Sequence, residues 1–175
     1  MKTKEIGLNE ITKIIDPITS MPKNDWCLVT ANDGGRVNGL TAGWGAFGHV
    51  CNKPTATLYI RPQRFTKSLL DRSDYFTMTF FDFDKYKDAL MYMGTHTGAK
   101  EPEKGKNAGL TPCFIDGDKP TYEEGRFVIV CRKFFCQQMA EESFTDRSIV
   151  ERSFPGKDFS YIYMGEIIAA YEVIR

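Results

Sequence analysis

The 175-residue chain has no apolar run near the roughly 18 residues that a membrane-spanning helix requires, so no transmembrane helix is expected. Its start, Met1 to Glu10, lacks the apolar stretch of a secretory signal, and the expectation is a cytoplasmic protein. Charge of one sign is not in excess: 23 Lys and Arg stand against 23 Asp and Glu. That balance argues against a partner recruited by bulk charge, so neither nucleic acid nor an anionic membrane is expected. Histidine is scarce, with two residues, and no nucleophile elbow is present, which excludes a Ser-His-Asp hydrolase. No C-x-x-C and no zinc-spaced His/Cys set occurs, so no metal is expected. The five cysteines are an odd number and fit a reducing compartment, where they are expected to be buried structural thiols. Cys131 and Cys136, five apart in an expected strand, would point to opposite faces unless the strand is bulged. A Walker-type G-x-x-x-x-G-K-S/T is also missing, which excludes a triphosphate loop. Aromatics make up 13% of the chain but lack the interleaved basic residues of a single-strand binder.

What is present is an ordinary globular composition, 42% hydrophobic and 26% charged, long enough for one domain with a real core. Residues 1–25 read as a lead segment, with Ile6, Ile11, Ile14 and Ile15 and two helix breakers, Pro17 and Pro22. From Trp26 to the C-terminus the chain reads as a single mostly-β domain with peripheral helices. Trp26–Ala31 predicts a strand, 32–35 (Asn-Asp-Gly-Gly) a hairpin turn, and Arg36–Thr41 the return strand. Thr55–Arg61 alternates, with Ala56, Leu58 and Ile60 on one face. A short helix over Phe65–Asp71 and a strand over Tyr75–Phe81 follow. Asp84 is expected to cap a helix to Met93 that buries Tyr86, Ala89, Leu90 and Met93. Residues 94–111 read as one long loop. Phe127–Phe135 and Tyr161–Val173 predict long strands apolar on both faces, with a second subunit as the expected outer cover.

Three segments can carry chemistry. Residues 38–48 hold no charged side chain; their glycines let backbone N–H groups approach a ligand, and Trp44 offers a flat apolar face. The G-x-G-x-x-G at Gly43, Gly45 and Gly48 is not a dinucleotide fingerprint, because Pro54 follows too soon for the helix that fingerprint needs. Residues 61–68 place Arg61, Arg64 and Thr66 where a strand gives way to a helix, a favourable place for one phosphate. Residues 94–104 follow a helix end where Gly94 suits a left-handed cap, and they contain Thr95, His96, Thr97 and Lys100. The bland alternatives are a glycine-kinked strand with a core tryptophan, a capped helix with solvated cations, and a surface histidine.

The ordered set N-G-L-T-A-G-W (38–44), T-L-Y-I-R-P-Q-R-F-T (57–66), D-Y-F-T (74–77), G-T-H-T-G (94–98), A-G-L-T-P (108–112) and Y-I-Y-M-G-E-I (161–167) resembles the flavin reductase-like FMN-binding proteins, and their flavoredoxin-like branch in particular. The resemblance implies a six-stranded split β-barrel that forms a homodimer, with FMN near the subunit interface. It implies that Asn38, Thr41, Ala42, Gly43, Trp44 and Gly45 line the flavin ring. Arg61, Arg64, Phe65 and Thr66 would hold the phosphate end, and Gly94, Thr95, Thr97, Gly98 and Lys100 would close the site. Many relatives carry a serine where Gly43 stands, which leaves only a backbone N–H to donate here. His96 is the one side chain that could serve in catalysis. The implied activity is an oxidoreductase passing electrons from NAD(P)H through flavin to an acceptor. A flavoredoxin-like electron carrier serving a partner protein, or a barrel that is only a binding module, stay open beside it.

Overall fold

The computed structural model describes residues 1–7 and 26–174. The expectations for Ile11, Ile14, Ile15, Pro17 and Pro22 lie outside the described residues. Strand β1 (Lys2–Glu5) is followed by β2 (Cys27–Asn32), β3 (Val37–Ala42), β4 (Gly45–Val50) and β5 (Lys53–Ile60). Helix α1 (Phe65–Arg72), strand β6 (Tyr75–Phe80) and helices α2 (Phe83–Thr95) and α3 (Lys104–Asn107) come next. Strands β7 (Pro112–Ile115), β8 (Lys119–Tyr122) and β9 (Phe127–Gln138), helix α4 (Arg147–Ser153) and strand β10 (Tyr161–Ile174) complete the chain. No helix among the described residues is long and apolar enough to cross a membrane.

The main sheet runs β3-β2-β6-β9-β10-β5-β4, with β1 added to β10, and so holds eight strands rather than the six that the resemblance implies. The extra pairing arises because β10 is long. Tyr161–Glu166 pairs with β5, which leaves its far end free for β1, where Lys2 faces Ile174 and Glu5 faces Tyr171. All neighbours are antiparallel, so short turns can join them. The β2–β3 turn shows why: Gly34 takes φ +89°, and the Asp33 carboxylate accepts from the Gly35 and Arg36 amides at 3.2 and 2.9 Å. The sheet curls around one core in which Val29, Leu40, Leu58, Ile60, Phe76, Met78, Ile129 and Tyr163 come from six different strands, with Leu69 and Leu70 of α1 closing an end.

Strand β9 is buried on both faces only as far as Cys131. The outer cover there comes from within the chain, not from a second subunit: Val128, Val130 and Ala169 pack against Ile115 of the β7–β8 hairpin. Phe134 of β9 and Ile168 of β10 drop out of the β9–β10 register as bulges, and both are exposed (39% and 41%). The first bulge reverses the parity of β9. Cys136, opposite Tyr163, therefore lies on the same side as Cys131, opposite Ile167. Four steps of β10, roughly 13 Å, separate those positions, so the two thiols still do not share an ion. Among the described residues no group of three or more metal-type ligands forms. Cys27 and Cys131 are buried as expected, but Cys51 and Cys136 are exposed and Cys113 is half-buried.

Two other local expectations change. Helix α2 starts at an Asp82 N-cap whose side chain makes no cap bond, with Asp84 in the first turn, and it buries Leu90 and Met93. It also runs on to Thr95, so Gly94 is a helical residue and not a left-handed cap. A Cβ there would sit 3.4 Å from the Thr41 Cβ, so glycine lets α2 lie tight on β3. The segment 94–111 is not one loop, because α3 forms within it.

Candidate functional site

Beyond the β3–β4 bend, two adjoining cavities open between β3, the end of β5, the start of α1 and the end of α2. The larger, about 240 Å³, is lined by Leu40 to Trp44, Tyr59 to Arg61, Arg64, Gly94 and Ser160. The smaller, about 100 Å³, is lined by Asn38, Leu40, Gln63 to Thr66, Thr95 to Gly98 and Lys104. Leu40 and Arg64 belong to both, so the two make one groove. It is apolar at the barrel mouth and cationic at the helix ends. The glycine stretch is a strand, bend and strand (β3 and β4), which removes any dinucleotide helix at Gly43, Gly45 and Gly48.

Of the residues expected to line a ring, Thr41, Ala42, Gly43 and Trp44 do line the larger cavity, and Gly45 lines neither. Trp44 stands at its mouth, 48% exposed, edge-on to Phe154 with ring centroids 6.1 Å apart. The Thr41 hydroxyl is committed to helix α2, donating to the Leu90 carbonyl at 2.5 Å, so this residue offers the groove its backbone. Asn38 faces the smaller cavity and donates to the Thr66 hydroxyl at 2.6 Å. A Cβ on Gly98 would lie 2.0 Å from the Asn38 Oδ1, so glycine at 98 is what lets the loop close over that amide.

The two arginines differ. Arg61 is engaged: it donates to the Asp158 carboxylate at 2.6 Å, to the Asp158 carbonyl at 3.2 Å and to the Ser153 carbonyl. Its guanidinium also lies 4.4 Å above the Phe154 ring. It lines the larger cavity and not the smaller one. Arg64 is half-buried and donates to the Gly94 carbonyl at 2.5 Å. Burial holds its pKa below the usual arginine value.

Lys104, which sequence reasoning missed in favour of Lys100, is the second cation of the smaller cavity. Lys100 is exposed and lines neither space. Lys104 is 2% exposed, and its ammonium donates to the Met93 and His96 carbonyls at 3.1 Å each. Burial, and then the Arg64 charge, pull its pKa down to about 8. The nearby Glu101 charge opposes this; its carboxylate accepts from Tyr92 at 2.6 Å and Asn107 at 3.3 Å. The signal that could have found Lys104 is its place directly before Gly105 in the short helix α3. There Gly105 leaves room for the Tyr122 ring, which a Cβ would meet at 2.7 Å. Both cations also cap carbonyls at the C-terminal end of α2, where positive charge is favoured.

Phe65 and Thr66 open α1 at the same cavity, where backbone N–H groups lie free of intrahelical partners. Thr95, His96 and Thr97 form its exposed rim. The His96 ring stacks on Tyr92 at this rim, with centroids 3.7 Å apart and planes 7° from parallel.

No family model matches the chain. An uncharacterized protein of Aeropyrum pernix is 29% identical over 107 residues, which is 61% of this chain and 38% of that protein, so the match spans about two-fifths of the relative's length. Among solved structures, the FMN-binding domain of a flavin reductase-like enzyme from Shewanella baltica OS155 superposes with a TM-score of 0.72 at 15% identity, over 98% of this chain and 78% of that one. Flavoredoxin from Methanosarcina acetivorans gives 0.66 at 19% identity, over 85% and 68%. An NADH:FAD oxidoreductase from Streptomyces globisporus C-1027 gives 0.62 at 14%, over 85% and 75%. The fold is the flavin reductase-like split barrel.

In this split barrel the groove suits a molecule with an apolar ring at one end and a phosphate at the other. The half-buried Arg64 and the buried Lys104, neither bonded to a carboxylate, gain from an anion that offsets their desolvation. At the ring end, Ser160 is fully buried and its Oγ has no hydrogen-bond partner. Both features fit FMN, and both belong to residues of this chain.

Proposed function

We propose that this split barrel binds FMN and acts as a flavin-dependent oxidoreductase that takes electrons from NADH or NADPH and passes them to an acceptor. The observation that carries the reading is the Arg64–Lys104 cation pair at one end of a groove whose other end is an apolar cavity under Trp44. Arg64, Lys104, the Thr66 hydroxyl and the α1 amides would hold the phosphate, with Asn38 orienting Thr66. Ala42, Gly43 and Trp44 would shelter the ring. FMN itself supplies the redox chemistry when bound, accepting a hydride and releasing electrons. The chain's own residues bind, orient and keep water from the ring. His96, locked on Tyr92 at the rim, is a positioning edge in this reading, and no acid or base is needed from it.

The likeness to an NADH:FAD oxidoreductase supports a nicotinamide as reductant. The test is anaerobic mixing of the FMN-loaded protein with NADH and, separately, NADPH. Loss of the flavin's visible absorbance within seconds with either one is the expected result. Bleaching by a reduced partner protein but by neither nicotinamide would favour the electron-carrier reading instead. A purified protein that is colourless and takes up no added FMN would end both. We further propose that two copies pair through the exposed bulged surface of β9 and β10.

A further inference from the structure

Among the described residues, two buried side-chain oxygens have no hydrogen-bond partner: Thr30 Oγ1 and Ser160 Oγ. Thr30 lies in the middle of β2 and borders neither cavity of the groove. Ser160 is different. It stands immediately before β10, is fully buried, and contributes to the wall of the larger cavity. Nothing in the sequence marked it, because a lone serine before a strand carries no pattern.

The backbone around Ser160 is held from two sides. Its carbonyl accepts from the Met139 amide at 2.9 Å, and the Phe159 carbonyl accepts from the Gln138 side chain at 3.1 Å. Two residues upstream, Asp158 is bound by Arg61 at 2.6 Å and by Gln63 at 2.8 Å. A buried hydroxyl without a protein partner, on a residue that borders a cavity, carries an unmet desolvation cost. That cost is recovered when a polar ligand atom arrives. Apart from Tyr59, and from Arg64 at the end shared with the smaller cavity, the wall is backbone and apolar or engaged side chains, so the ligand group that suits it is the polar rim of a mostly apolar ring.

We infer that Ser160 is a ligand-binding residue whose hydroxyl hydrogen-bonds a polar edge atom of the ring system held in the larger cavity. With the flavin reading, on which this inference rests, the partner is a carbonyl oxygen or ring nitrogen of the isoalloxazine. A hydroxyl can donate to the first and either donate to or accept from the second. Arg61 then acts through Asp158 as a positioning residue that keeps the 153–160 segment, and so Ser160, in place.

The test uses the full chain with Ser160 replaced by Ala and, separately, by Cys. Binding of FMN and of riboflavin is read by quenching of flavin fluorescence, and melting of the flavin-free protein is read beside it. One neutral hydrogen bond predicts a loss of roughly three- to tenfold for both ligands in S160A and a smaller loss in S160C. The flavin-free S160A protein should melt at or above the wild-type temperature, because an orphaned polar group has gone. Wild-type affinity for both flavins in S160A would overturn the inference, as would a loss confined to FMN, which would put Ser160 on the phosphate side. A lower melting temperature of flavin-free S160A would also overturn it, by revealing a structural partner. If the wild-type protein binds neither flavin, the reading of the site fails, and this inference falls with it.

Discussion

At the scale of single residues, the site turns on which cations are free to meet a ligand. Arg61 and Arg64 are three apart in sequence and equivalent in composition, yet Asp158 and the Ser153 carbonyl engage the first, while no carboxylate pairs with the second among the described residues. Lys104 adds a charge that is expensive to keep. With its pKa at about 8 in the folded protein against 10.5 when unfolded, the unfolded chain binds the extra proton between those values. Stability of the flavin-free protein should therefore rise as pH increases from about 8 to 10.5, and the lysine should add no pH dependence well below 8. A phosphate needs the lysine charged. FMN should therefore bind progressively more weakly as pH rises above about 8, while riboflavin, with no phosphate, should change little. Titrations of both ligands at pH 7, 8 and 9 check this; parallel losses for the two would remove Lys104 from the phosphate end. The sequence made Arg64 and Thr66 visible through their place at a strand-to-helix junction, and Asn38 through its place in the uncharged glycine stretch. It hid Lys104 because burial of a lysine depends on where α3 folds back, and it hid Ser160 because an unmet hydroxyl is a property of the packed structure alone.

At the scale of elements, periodicity revealed most of the strands. The alternation in 55–61 became β5, and the Asn32–Gly35 turn joined β2 to β3. The errors came where tertiary contact overrides local pattern. Gly94 looked like a stop signal but is a spacer against Thr41. Strand β9 looked doubly buried along its length, yet the β7–β8 hairpin covers only its first part. The bulges at Phe134 and Ile168 follow from no residue pattern and set exposed apolar side chains on the longest strands. If these form the pairing surface of two copies, Phe134→Glu should convert a dimer in analytical ultracentrifugation to a monomer without lowering the melting temperature of the isolated chain by more than a few degrees. A wild-type protein that sediments as a monomer at micromolar concentration would show that this surface does not join copies of the chain.

At the scale of the whole molecule, a curled sheet gathers one core from strands distant in sequence and leaves a groove where β3 bends into β4. The termini of α1 and α2 meet at one end of that groove and give it its charge. The Arg61–Asp158 latch and the segment before β10 finish the other end. Structures with the same fold but 15–19% identity include an FMN-binding domain and a flavoredoxin, so what adapts this chain to its own ligand lies in the groove residues. The most direct measurement is a side-by-side titration of FMN and riboflavin against the wild-type protein and Arg64→Ala at pH 7. A lost charge-assisted hydrogen bond predicts that FMN affinity falls roughly ten- to hundredfold in the variant while riboflavin affinity stays within about twofold. Equal losses for the two ligands, or none for either, would contradict the account.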